Sequence, residues 1–287
     1  MLSIKPFLPD SDHLSQIGQG LFEIPLSKCR SLEIMGFKLS EDSVHPFVRT
    51  SIEILRGLQR YEDSSLRCYY DMVRPQTGAQ LVFPVGGKAE AEAAKLDAAT
   101  KLGGDLTGAL ELAIPWRRVC GAGIKEKRLS ILPKEGRKLG IYLSDESGFF
   151  AFGPVADEAG FVEFLRLKNA VLSLKKHGYR PATDSDHIQG WLLENEKGER
   201  IVHISGGHHR TAAMVALGYT KTPVVLSPNR VVREEDCLTW PGVVSGEFRP
   251  EDAIVLFRRI FTGQAPECCE QFLQAIDQSN NSYGQDQ

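Results

Sequence analysis

Apolar positions recur at helical spacing in several separated stretches. Val44, Phe47, Val48, Ile52, Leu55 and Leu58 follow the acidic Glu41-Asp42-Ser43 start, which predicts an amphipathic helix over residues 43–59. Ser64–Asp71 suits a shorter helix that ends before Pro75. Phe161, Phe164, Leu165, Leu167, Leu172 and Leu174 predict a helix that closes on His177-Gly178. Between and after these helices the period changes to that of strands. Phe149-Phe-Ala-Phe152 reads as a short strand broken by Gly153-Pro154. His187–Leu193 and Arg200–Ser205 flank the polar turn Glu194–Gly198 and read as a hairpin. A helix over 208–217 and a strand over 222–226 complete the order strand, helix, strand, strand, helix, strand. Pro250 with Glu251-Asp252 opens a further helix, whose buried stripe is Ala253, Leu256, Phe257 and Ile260.

This pattern predicts an α+β chain in three parts. Residues 1–145 read as a mainly helical N-terminal module, 146–228 as an α/β core and 229–287 as a C-terminal helical extension. Residues 84–104 have a thin apolar stripe, and the last dozen residues are polar enough to expect disorder. Lys125–Leu129 and Lys134–Lys138 read as a solvated face or loop, as do Lys168, Lys175 and Lys176.

Composition narrows the function classes. With 287 residues, 42% hydrophobic and 25% charged, the chain can bury a sizeable core. A net charge of -3 gives no electrostatic footprint for nucleic acid. No apolar run is long enough to span a bilayer, and the N-terminal ten residues lack a signal-peptide core, so a cytoplasmic protein without a membrane partner is expected. The six cysteines form no CxxC pair, which argues against a zinc ribbon or a disulfide framework; Cys268 and Cys269 are expected as free thiols on a terminal helix.

The candidate chemistry gathers at Ser205-Gly206-Gly207-His208-His209-Arg210-Thr211, where an apolar strand runs into a short alanine-rich helix. Glycines there permit positive φ and close approach of a phosphate, and the helix start offers free N–H groups. Arg210 adds a permanently charged planar fork, and imidazole suits proton transfer near neutral pH. Gly206, Gly207, His208, His209, Arg210 and Thr211 are therefore candidate phosphate ligands. Two adjacent histidines do not suit a metal, so no metal ligand is assigned. Phosphoryl transfer also needs a carboxylate for the acceptor hydroxyl. Asp157, Glu158, Glu163, Asp184 and Asp186 are candidates, with Asp157 and Glu158 preferred beside His208 as catalytic residues. Glu163 and Arg166 sit one turn apart and read as a surface pair.

Glu163–Leu167, the Gly178-Tyr-Arg-Pro181 turn, the hairpin, Gly206-Gly-His-His-Arg210, Ala212-Ala213, Leu217-Gly218 and Pro223-Val224 resemble the ParB/sulfiredoxin-like superfamily over residues 148–227. The resemblance implies a compact nucleotide-binding α/β domain with phosphates on the glycine turn and the following helix. Sulfiredoxins carry a nucleophilic cysteine where this chain has His208. ParB proteins carry Gly-Glu-Arg-Arg and a following helix-turn-helix, neither of which is present. Gly207-His208-His209-Arg210 fits the Gly-His-x-Arg of the free-serine kinases of the superfamily. The resemblance thus implies ATP or another nucleotide with Mg2+, and an ATP-dependent phosphotransferase acting on a small hydroxyl-bearing acceptor. A ParB-like nucleotide-gated switch is the alternative and a ParB-like nuclease the third reading; a homodimer is compatible with each.

Overall fold

The computed structural model describes residues 4–6, 20–86, 108–117, 122–183, 186–226 and 228–283. Ten strands are found among them: β1 Ile4–Pro6, β2 Gly20–Pro25, β3 Cys29–Ser31, β4 Phe37–Lys38, β5 Gly148–Phe149, β6 Phe152–Val155, β7 Ile188–Glu194, β8 Arg200–Gly206, β9 Lys221–Leu226 and β10 Val231–Arg233. The main helices are α1 Pro46–Leu55, α2 Ser65–Met72, α3 Ala122–Leu129, α4 Ile131–Lys138, α5 Asp157–His177, α6 His208–Ala216, α7 Pro250–Thr262 and α8 Glu270–Tyr283. The class is α+β, as the periodicities predict.

One mixed sheet in the order β1-β2-β9-β7-β8-β3-β4 organises the chain. The β7–β8 hairpin is antiparallel, with Trp191 opposite His203. β3 then pairs in parallel with β8, Cys29 opposite Val202, and β2 pairs antiparallel with β9. The separation expected at residue 145 has no counterpart in this sheet. The outer strands come from residues 4–38: β3 covers the free edge of β8 and β2 that of β9, with β4 and β1 outside them. The N-terminal region contributes these four strands, β1–β4, beside its helices.

On its second edge β7 changes partner. Ile188 and Gln189 pair with β9, whereas Leu192–Glu194 pair with β10. The turn Pro228–Arg230 lies between these two strands. The sheet therefore parts beside Gln189–Trp191, and a cavity forms there.

Helices α1, α5 and α6 pack against one another. Ala212 and Ala213 of α6 are fully buried and let its backbone approach its neighbours. Beside His203 of β8 stands an aromatic group: Trp116 meets Trp240 at 5.4 Å and Phe257 at 5.7 Å, edge to face. From α7, the buried Arg259 donates to the carbonyls of Ile34, Met35 and Gln264. A buried guanidinium is retained only where carbonyls or carboxylates satisfy it, and this one fixes the turn after β3.

Several boundaries move for local reasons. Helix α1 starts at Pro46 rather than 43, because His45 caps it through Nδ1, which accepts from Phe47 N–H at 3.2 Å. Helix α5 begins four residues before Phe161. The expected strand 149–152 divides into β5 and β6, and Pro154 sits inside β6, tolerated in a two-stranded ribbon. Of the solvated face or loop expected at Lys125–Leu129, the face is found: Lys125, Glu126 and Lys127 are exposed on helix α3, while its Arg128 is buried over the Phe149 ring at 5.0 Å. The expected disordered tail is helical to Tyr283. Cys268 and Cys269 are free thiols in the turn before α8 rather than on it. Most of the 84–104 stretch lies outside the described residues, as do Cys120 and Asp184.

Candidate functional site

The glycine turn holds its shape through one residue. Gly207 takes φ 91°, and a Cβ there would stand 2.8 Å from Ile188 Cγ1, so both conformation and space require glycine. Gly206 needs neither, since it is the last residue of β8. Helix α6 opens directly on Gly207 with no side chain capping it. The first N–H groups of α6 thus have no intrahelical or capping partner, at the positive end of the helix.

His208 is buried beneath this turn. Its Nδ1 accepts from Leu32 N–H at 3.3 Å and lies 3.0 Å from Ser31 Oγ. Because Nδ1 accepts, Nε2 carries the hydrogen in the neutral ring. Burial holds the imidazole at a pKa of about 3, although Glu33 nearby favours its charge. Nε2 is buried with no hydrogen-bond partner among the described residues. The strand turn that grips His208 is itself unusual: Leu32 and Glu33 are non-glycine residues at φ 70° and 53°. His203 Nε2 donates to the Glu33 carbonyl at 2.8 Å, which helps hold that conformation.

His209 points elsewhere, as adjacent residues at a helix start must. Its ring packs on Phe47 with centroids 4.8 Å apart, and Nε2 lies 2.8 Å from Glu163 Oε2. Glu163 is fully buried on α5 and also receives Arg166 Nη1 at 2.5 Å. Burial alone would raise this carboxyl, but Arg166 and His209 overcome it and hold the pKa at about 2. The carboxylate can only accept, so His209 donates through Nε2. Burial and Arg166 keep the His209 pKa below its ordinary value, which leaves a lone pair on Nδ1. The pairing of Glu163 with Arg166 is therefore a buried three-member contact and not the surface pair its spacing suggests.

Glu33, Arg166, His208 and His209 line one cleft of about 760 Å³ between α6, the second half of α5, and α3–α4, while Glu163 is fully buried and does not line it. Six cationic side chains, Arg117, Lys127, Lys138, Arg166, Arg180 and Arg210, face three carboxylates, Glu33, Glu135 and Asp186. Each carboxylate is paired: Glu33 with Arg117 at 2.9 Å, Glu135 with Lys138 at 2.7 Å, and Asp186 with Arg210. Lys127 and Arg180 have no ion-pair partner among the described residues. The cleft thus presents excess positive charge around an uncapped helix start, the arrangement an anionic ligand requires.

The turn residues Gly206, Gly207, His208, His209 and Arg210 are all in this cleft. Thr211 is not; it is fully buried, and its hydroxyl bonds back to the Gly207 and His208 carbonyls. Asp157 and Glu158 are not there either. They open α5, at least eight residues and roughly 12 Å along the axis before its first cleft residue, Arg166. Asp157 is instead ion-paired with Arg67. The carboxylate that reaches His209 is Glu163. Ser31, Glu33, Arg117 and Lys127 also surround this site; they come from distant segments with no shared spacing, so no local motif marks them.

Comparison with protein-family models, curated proteins and solved structures gave no match. No helix among the described residues is long and apolar enough to cross a membrane.

Proposed function

We propose that this cleft binds the phosphates of a nucleotide and that the protein is an ATP-dependent phosphotransferase acting on a small hydroxyl-bearing acceptor. The observation that carries the reading is the uncapped start of α6 with the buried, unpartnered His208 Nε2–H in the same cleft. Such a donor costs free energy unless a ligand oxygen accepts from it. The resemblance of residues 148–227 to the ParB/sulfiredoxin-like superfamily belongs to the same proposal.

The chemistry follows from the residues present. Backbone N–H groups of α6, His208 Nε2 and Arg210 take the phosphate oxygens and stabilise the charge that shifts during transfer. His209 Nδ1 accepts the proton of the acceptor hydroxyl. The acceptor oxygen bonds to the terminal phosphorus as the bond to the diphosphate leaving group breaks. Glu163 orients the imidazole and stabilises the imidazolium. This role replaces the one first expected of Asp157 and Glu158. Magnesium supplies charge neutralisation for a nucleotide, but we assign it no protein ligand, because each cleft carboxylate is already paired with a cation.

His209→Ala is expected to lower turnover roughly 10²- to 10⁴-fold while nucleotide still binds. Phosphorus NMR of ATP, Mg2+ and a panel of hydroxyl compounds reads the transfer directly. Unchanged turnover in His209→Ala removes the base assignment. One observation favours the switch reading: Arg210 is tied to the carbonyl and carboxylate of Asp186, so a phosphate that takes Arg210 releases the turn before β7. In that reading nucleotide alters the oligomeric state and no phosphorylated acceptor forms.

A further inference from the structure

A second cavity of about 660 Å³ lies where β9 and β10 part along β7. It shares Arg117, Lys127 and Ser205 with the cleft, so the two spaces adjoin. The chain has three tryptophans, Trp116, Trp191 and Trp240, and all three line this cavity. We propose that it is the nucleobase compartment: the ring of a bound nucleotide lies against Arg230 and Trp191, while its phosphates reach through the junction to the start of α6. This inference rests on the phosphate reading of the cleft.

Four observations support a planar heterocycle. Arg230 lies over the Trp191 ring with its guanidinium carbon 5.7 Å from the centroid. Its Nη1 is tethered to Gln189 Oε1 at 3.1 Å and Ser205 Oγ at 3.4 Å, and no carboxylate among the described residues neutralises it. A tethered guanidinium backed by an aromatic ring is a stacking surface for a base. The Trp116 Nε1–H is buried, in a residue 4% exposed, with no hydrogen-bond partner among the described residues. That donor suits a ring nitrogen or exocyclic oxygen. Finally, Lys127 at the junction has no ion-pair partner among the described residues, which places a free ammonium where the phosphate nearest the ribose would pass.

The indole fluorescence of the full-length protein reports on this cavity, because no tryptophan lies outside it. The probes are ATP, CTP, GTP and inorganic tripolyphosphate, titrated with Mg2+ by fluorescence and calorimetry. At least one nucleotide is expected to quench the indoles and to bind roughly 5- to 150-fold more tightly than tripolyphosphate, the range that base stacking contributes. Trp191→Leu and Arg230→Gln should each narrow that gap and leave tripolyphosphate affinity in place. Arg230 is only partly buried, so the second variant keeps the test intact where the first fails to fold, as circular dichroism will show. Equal binding of nucleotides and tripolyphosphate, with both variants silent, overturns the base compartment and leaves the phosphate cleft standing. No binding of any probe overturns the phosphate reading and this inference with it.

Discussion

Acidification from pH 7 to pH 5 is expected to cost the protein several kcal/mol of stability, well before its carboxylates titrate. His45, His203 and His208 are buried, and burial holds their pKa values at about 3, 4 and 3, down from 6.5. The Arg117 charge reinforces this at His203, and protonation of His208 or His209 would further oppose that of His45. The sign follows directly. These folded-state values lie below the unfolded value, so the unfolded chain binds more protons. Their contribution is present above about pH 6.5 and is lost as pH falls toward the folded-state values. Each ring then costs about 2 kcal/mol between pH 7 and pH 5, and the three together about 6 kcal/mol. That is comparable to the whole stability of an ordinary domain, about 5–15 kcal/mol. Urea unfolding at pH 7.5, 6.0 and 5.0 should show the midpoint falling steeply with acid. A midpoint that holds constant to pH 5 contradicts the buried neutral histidines.

The second large effect concerns Glu163. Glu163→Ala removes the carboxylate that joins Arg166 to His209 and leaves a mostly buried guanidinium with only Glu135, at 3.5 Å. Removing one partner of a buried ion pair costs about 3–5 kcal/mol. The melting temperature should fall roughly 5–15 °C. Glu163→Gln keeps the volume and an acceptor for His209 but loses the charge, so its melting temperature should fall between the two. Its turnover should fall with that of His209→Ala, since the imidazolium loses its stabilising partner. A Glu163→Ala variant that melts within 2 °C of the parent would show that the contact carries no structural role.

Regular elements were legible where the period was long and the ends were marked. Helix α5, the β7–β8 hairpin, α6 and β9 follow from their apolar spacing and from Gly178, Gly198, Gly207 and Gly218, all at positive φ. Strands β3 and β4, of three and two residues, are too short for any alternation to show. β3 is held by pairing with the distant β8 and β4 by pairing with β3, and the turn between them by Arg259, whose charge reads as surface in a sequence. Glu163 illustrates the same limit. An i,i+3 spacing to Arg166 fits an exposed pair as well as a buried one, and only the approach of Phe47 and His209 from other helices decides it. The glycine turn was visible because it is local. The cavity of Trp116, Trp191 and Trp240 was not, because the sheet parts there through a change of strand partner that no local pattern encodes.

The central claim is that the start of α6 holds phosphate. Calorimetric titration of the purified protein with ATP, ADP, CTP and GTP plus Mg2+, with Arg210→Ala alongside, tests it most directly. The account predicts saturable binding of at least one nucleotide, weakened at least roughly tenfold in Arg210→Ala by loss of a charge-assisted contact while the melting curve is kept. Binding that is absent for all four nucleotides, or unchanged in Arg210→Ala, would contradict it.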